Sequence, residues 1–157
     1  MNLQPDVFFM KSLQFDVFKS TIGFVKLEDK TLITIRVVIG FIEEIGYGPT
    51  GPDLDIAYSV YLFAFSPQEL KTKMIDKPIP PPTGEHLRKK EIWEIIKIIE
   101  KKAAAEECIY KASDGKNYKV KLEINPAIAA RTLEYRDKKG NPVYNIRWTP
   151  SLTIELI

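Results

Sequence analysis

The sequence predicts an α+β protein, a largely antiparallel β-sheet with one long and one short helix packed on one face. Three observations lead there. Apolar runs that alternate or are β-branched fill the first and last thirds of the chain. An apolar stripe at helical spacing lies between them. The order strands, helices, strands belongs to α+β architecture. A length of 157 residues fits a single domain over residues 1–157 with one core.

The elements follow in order. Val7, Phe9, Leu13, Phe15 and Val17 nearly alternate and read as a strand. Phe24 to Lys30 leads into a turn, and Thr31 to Ile42 is a long β-branched strand. Gly46 to Pro52 holds three glycines and two prolines and reads as a loop. Ile56 to Phe65 is apolar or aromatic on both faces, the pattern of a central strand. Ser66-Pro67-Gln68-Glu69 has the form of a capping box and opens a short helix to about Met74. After the proline segment a long helix starts beyond Thr83, with Leu87, Ile92, Ile95, Ile96, Ile99 and Ala103 as its apolar stripe. Two hairpins follow. Ile109–Lys111 pairs with Tyr118–Ile124, which Asn125-Pro126 ends, and Ile128–Tyr135 pairs with Val143–Trp148. Leu152 to Leu156 is a last short strand.

Composition narrows the function classes. Apolar residues are 45% and charged residues 28%, as in ordinary globular chains. No apolar run approaches the roughly 20 residues of a membrane span, and the start MNLQPDVFF lacks a basic leader. The single Cys108 excludes an internal disulfide framework and a cysteine-based zinc site. These features give the expectation of an intracellular protein. Heavy use of isoleucine and lysine with little glutamine or cysteine leans towards a hot-environment source. Net charge is only +2, but Arg88 to Lys121 is rich in cations and Asp29 to Asp55 leans acidic. That asymmetry suits a phosphate-binding face beside a carboxylate cluster, or simply a solvated surface.

Two constellations carry possible chemistry. Asp53 and Asp55 stand two apart at the start of a strand, so both side chains point the same way. Such a pair can share a divalent cation, and Mg²⁺ held there stabilises attacking and leaving oxygens in phosphoryl transfer. The plainer reading is two turn residues leading into a strand. In PIPPPTGEHLRKK, four prolines run up to Thr83-Gly84, and Glu85 with the only histidine, His86, opens the expected helix. A helix N-terminus favours anions and can dock a phosphate, with Arg88, Lys89 and Lys90 around it. Glu85 would bind metal or position water, and His86 would carry a proton. Otherwise Glu85 only complements the helix dipole and His86 is a surface residue. Farther on, aromatic and cationic residues interleave from Tyr110 to Trp148. Lys119, Lys121, Arg131 and Arg136 are the candidates there for backbone phosphates of DNA.

The stretch Asp53-Leu54-Asp55-Ile56 resembles the acidic–hydrophobic–acidic–hydrophobic half of the nucleotidyltransferase pattern, with Gly46-Tyr47-Gly48 where that family has glycine-serine. The resemblance implies a third carboxylate from a later strand, a place that Glu123 would fill. In length, isoleucine–lysine bias and strand-rich layout the chain also resembles the small nuclease proteins of lipothrixviruses, filamentous viruses of hot-acid archaea. That likeness implies an α+β fold, activity on linear double-stranded DNA, a host-cytoplasmic setting and a catalytic glutamate near the start of the helix after the prolines, which here is Glu85. The expected function is therefore a nuclease cleaving phosphodiester bonds of DNA with Mg²⁺ or another divalent cation. The alternatives are a non-catalytic DNA-binding protein and a viral structural or host-interaction protein.

Overall fold

A computed structural model describes residues 15–157. Its elements are nine strands among the described residues: β1 (Phe15–Thr21), β2 (Gly23–Leu27), β3 (Leu32–Gly48), β4 (Gly51–Phe65), β5 (Trp93–Ile96), β6 (Ile98–Lys102), β7 (Ala104–Lys111), β8 (Asn117–Arg136) and β9 (Pro142–Leu156). One α-helix, α1 (Gln68–Lys73), and two 3-10 turns, Glu85–Arg88 and Lys90–Ile92, complete them. Every strand pair is antiparallel.

The strands form two sheets. One runs β4-β3-β2-β6. The other is built on β8, which pairs with β9 over most of its length and with β7 and then β5 on its opposite edge, while β1 adds to β7. The chain changes sheet at three short corners: at Ile22 between β1 and β2, at Lys97 between β5 and β6, and at Ala103 between β6 and β7. Inward residues of both sheets then share one core, with Val25, Ile33, Ile35 and Val37 facing Cys108, Val120, Leu122 and Ile124. Alternation over Leu32–Ile39 of β3 and Asn117–Pro126 of β8 turns one set of apolar side chains inward and leaves most polar ones outside, as a half-buried sheet requires.

The first and third corners press directly on each other. A Cβ on Gly23 would lie 2.4 Å from the Ala104 nitrogen, 2.6 Å from the Lys102 oxygen and 2.7 Å from the Ala103 carbonyl carbon. Only a residue without a side chain lets two backbones approach this closely.

A second tie crosses between the sheets at Glu106, buried on the inner side of β7. β2 stops pairing with β3 at Ile35, so farther along β3 that edge has no strand partner. There Glu106 Oε1 accepts the Ile39 N–H at 2.9 Å, and Oε2 accepts the Ser20 hydroxyl at 2.9 Å. The carboxylate stands in for a missing strand. Glu107, on the other side of β7, meets Lys19 at 3.8 Å and Lys119 at 3.4 Å. Burial, with Glu106 beside it, pushes the Cys108 thiol up to about 11.

The sandwich corrects the α+β expectation. Among the described residues the longest α-helix is the six-residue α1, and the long helix after Thr83 is absent. Its segment instead makes two 3-10 turns and then β5 and β6. The isoleucines at helical spacing are β-branched, which favours extended backbone. Two unpaired edges, on β8 at Ala129–Thr132 and on β2, receive them. Ile95 and Ile99 of the supposed stripe are 79% and 60% exposed, while Ile96 enters the core.

Four smaller expectations also change. β4 is an edge strand and not a central one, since only β3 pairs with it among the described residues, and its outward aromatics are left uncovered. The glycine-rich loop narrows to a turn at Pro49-Thr50, with strand on both sides. Asn125-Pro126 does not end β8. The proline falls where β7 has ended, β5 has not begun and the register with β9 slips, so its missing N–H interrupts little. The capping box does not close either: Pro67 is the N-cap without a side-chain bond, and the Ser66 hydroxyl lies 2.9 Å from Thr31 Oγ1. Of the expected first strand, Val7 to Leu13 lies outside the described residues.

Two pairs of substitutions test these ties. Gly23→Ala is expected to cost about 3 kcal/mol or more, as overpacking against backbone does. Gly48→Ala, where an added Cβ meets nothing within 4 Å, should be near neutral. Glu106→Ala orphans the Ile39 N–H and is expected to cost about 2 kcal/mol, with Glu106→Gln recovering most of it. Urea denaturation of the variants reads each value.

Candidate nucleic-acid interface

The outer face of the four-stranded sheet can be built row by row from the strand register. Lys102 on β6, Phe24 on β2, Thr34 on β3 and Phe63 on β4 form one row. Glu100, Lys26, Leu32 and Phe65 form the next. Arg36 and Tyr61 face each other beyond Phe63, followed by Val38 and Ser59. On β4 the inward residues Leu54, Ile56, Val60, Leu62 and Ala64 pack on the core. That alternation forces Tyr61, Phe63 and Phe65 to the outside, where they are 50%, 52% and 52% exposed. Three aromatic rings thus stand in line at roughly 6.7 Å intervals, the two-residue repeat of a strand. Cations flank them: Arg36 beside Tyr61, Lys102 at the far end of the Phe63 row, and Lys26 over the Phe24 ring at 5.7 Å. Glu100, 3.1 Å from Lys26, offsets part of that charge.

A polar network fixes this sheet against the other. Asp29, in the β2–β3 turn, accepts the Thr31 N–H on Oδ1 at 2.9 Å. Its Oδ2 accepts from Arg131 Nη1 on β8 at 2.9 Å and from the Tyr144 hydroxyl on β9 at 2.6 Å. Arg131 Nε donates to Glu94 on β5 at 2.6 Å. Burial alone would lower the Arg131 guanidinium, but Glu94 and Asp29 hold it above its ordinary value. Asn141 extends the network, accepting the Ser66 N–H at 2.9 Å and donating to the Ala64 carbonyl at 3.1 Å. The end of β4 that carries Phe63 and Phe65 is thereby anchored to the β8–β9 turn. At the other end the long β3–β4 hairpin is tied to the β7–β8 turn. Glu44 accepts from the Ser113 N–H at 3.0 Å, and the hydroxyls of Tyr47 and Tyr118 both donate to Asp114.

The residues singled out in the sequence are not assembled into one centre. Asp53 and Asp55 lie exposed on the outer side of β4, Asp55 directly across from Glu43. Glu85 and His86 are exposed in the four-residue turn Glu85–Arg88, which follows Gly84 at φ 68° and has no side-chain cap. So short a turn aligns too few peptide dipoles to make the anion site expected of a helix N-terminus. His86 stands edge-on to Tyr135 with ring centres 6.3 Å apart. Among the described residues no three of His, Cys, Asp or Glu form a group able to hold a metal ion. Glu123, the place suggested for a third carboxylate, pairs with Lys121 at 3.2 Å.

The expected phosphate-binding cations divide in two. Arg88, Lys89 and Lys90 are exposed and make no ion pair among the described residues. The other four are engaged within the protein, Arg131 and Arg136 between elements and Lys119 and Lys121 in partly exposed surface pairs. Lys119 and Lys121 pair with Glu107 and Glu123, and Arg131 binds Asp29 and Glu94. Arg136 fastens the start of the proline segment, donating from its backbone N to the Pro78 carbonyl at 3.0 Å and from Nε to the Lys77 carbonyl at 2.9 Å.

Sequence reasoning passed over Tyr61, Phe63 and Phe65, although their spacing was visible. Apolar residues on both faces suggested a covered strand, and only the packing of the two sheets shows that one face is bare. Comparison with protein-family models, curated proteins and solved structures finds no match to this chain. Among the described residues no helix is long and apolar enough to cross a membrane.

The Asp29 network predicts a pH response. Burial, then the bond to Asp29, pushes the Tyr144 hydroxyl from 10.0 up to about 12. The folded state therefore holds this proton more tightly than the unfolded chain. Its contribution is fully present below pH 10.0 and is lost as pH rises through about 12. Urea titrations between these limits should show wild type losing more stability than Tyr144→Phe, with equal slopes marking the hydroxyl as unimportant.

Proposed function

We propose that this protein binds single-stranded nucleic acid without cleaving it, across the outer face of the four-stranded sheet. The observation that carries the reading is the line of half-exposed aromatics, Tyr61, Phe63 and Phe65, beside Arg36, Lys26 and Lys102. Large rings normally enter the core, and leaving three of them in water on one strand is costly unless a ligand covers them. Unpaired bases stack on such rings whatever their sequence, and nearby cations take the phosphates. Duplex bases are already stacked on one another, which favours a single strand.

The nuclease reading draws less support from the geometry. It required Glu85, Asp53 and Asp55 around one phosphate, and these carboxylates do not form a metal-binding group. The basic face expected over the C-terminal strands is also largely committed to internal ion pairs. Arg88, Lys89 and Lys90 remain accessible to a bound strand that extends beyond the sheet.

Fluorescence anisotropy with labelled oligothymidylate tests the proposal. Phe63→Ala is expected to weaken binding by about 1–3 kcal/mol. With two to three phosphates neutralised, log K should fall against log salt with a slope of about −2, and Arg36→Ala should reduce that slope by about 0.7. Glu85→Ala and His86→Ala should bind as wild type does. Absence of binding at low salt, or Phe63→Ala binding equally well, removes the proposal. Shortening of linear DNA with Mg²⁺ that is lost in Glu85→Ala would restore the nuclease.

A further inference from the structure

We infer that two copies of this chain associate through the free edge of β4, antiparallel about a two-fold axis at Val60, joining their four-stranded sheets into one of eight strands. This does not rest on the nucleic-acid reading, since it is argued from the open edge of β4 and the side chains that would meet across it.

β4 ends its sheet, and among the described residues no strand pairs with its outer edge. Exposed edges are ordinarily protected by charge, proline, bulges or shortness, because their open backbone groups invite another strand. The other edges here have that protection. β9 carries Arg147, Pro150 and Glu155. β1 carries Asp16 and Lys19 with a register break between Val17 and Lys19, β6 ends in Glu100-Lys101-Lys102, and β5 has only four residues. On β4 the protection stops at Asp55. From Ile56 to Phe65 there are ten residues with no charge, proline or glycine. Opposite β4, both register breaks put the extra residue on β3, at Gly40 and Ile45, so β4 itself stays regular.

Charge and size select the occupant and the register. A parallel copy would set Asp53 and Asp55 against themselves. An antiparallel copy about Val60 carries them to the opposite end, where Asp55 meets the uncharged Phe65 of the other copy, and the two acidic pairs are held apart. The same axis pairs two of the outward rings with small residues, Tyr61 with Ser59 and Phe63 with Ala57. It also keeps outward residues opposite outward ones, as alternation demands. The aromatic rows of the two copies become continuous across the axis.

Sedimentation of the full chain without nucleic acid should show a dimer. Ser59→Asp, which sets a carboxylate against Tyr61 of the other copy, should raise the dissociation constant by about tenfold or more, with an unchanged circular dichroism spectrum. Val60→Cys should oxidise to a covalent dimer, since residues facing each other across such an axis lie within disulfide reach, whereas Thr153→Cys on the β9 edge should not. A wild type that stays monomeric at the highest attainable concentration overturns the proposal. So does a dimer indifferent to Ser59→Asp, or one that does not cross-link at Val60. These measurements are made without nucleic acid, so their failure leaves oligothymidylate binding to be read separately.

Discussion

The contact of Gly23 with the backbone of Lys102, Ala103 and Ala104 is the constraint on which the architecture depends. At this point the chain leaves one sheet for the other twice, once between β1 and β2 and once between β6 and β7. Because the two crossings lie backbone against backbone, the sheets cannot slide apart or rotate without separating them. The register of β2 with β6 and of β1 with β7 follows from this corner. So does the burial of Cys108 and Val25 in a common core.

Away from that corner the sheets are held by polar groups placed where strand pairing runs out. Glu106 completes the unpaired stretch of β3, and Asp29 joins the β2–β3 turn to β8 and β9. Each carboxylate is buried or nearly so, and each accepts at least two hydrogen bonds. That satisfaction makes burial of the charge tolerable. The consequence for function is indirect but large. Several of the charged residues that suggested chemistry in the sequence, Arg131 and Arg136 among them, serve as internal ties, while the outer face of the four-stranded sheet combines exposed aromatics with Arg36, Lys26 and Lys102.

The same logic explains why β4 concentrates what is unfinished about the molecule. Its inner side is part of the core, its outer side exposes three rings, and its edge presents unpaired backbone. An edge strand with an apolar outer face is unusual in a chain that otherwise protects its edges, and a face and an edge can be used at once by different partners. Bound nucleic acid would lie across the rows, and a second copy would continue them.

Strand content in the first and last thirds, the Ser113–Lys116 and Asp137–Asn141 turns and the short helix near Gln68 were legible because alternation and turn residues act locally. The sequence by itself determined these, along with the acidic and aromatic identities of the residues on β4. The tertiary structure decided the rest. Isoleucines spaced for a helix became β5 and β6 because β8 and β2 offered open edges, an option that no local pattern records. Whether Tyr61, Phe63 and Phe65 were covered depended on which face of their sheet packs on the other sheet, and whether Arg131 was free depended on Asp29, distant in the chain. Period-two alternation specifies which side chains share a face, but only the packing of one sheet on another specifies which face meets water.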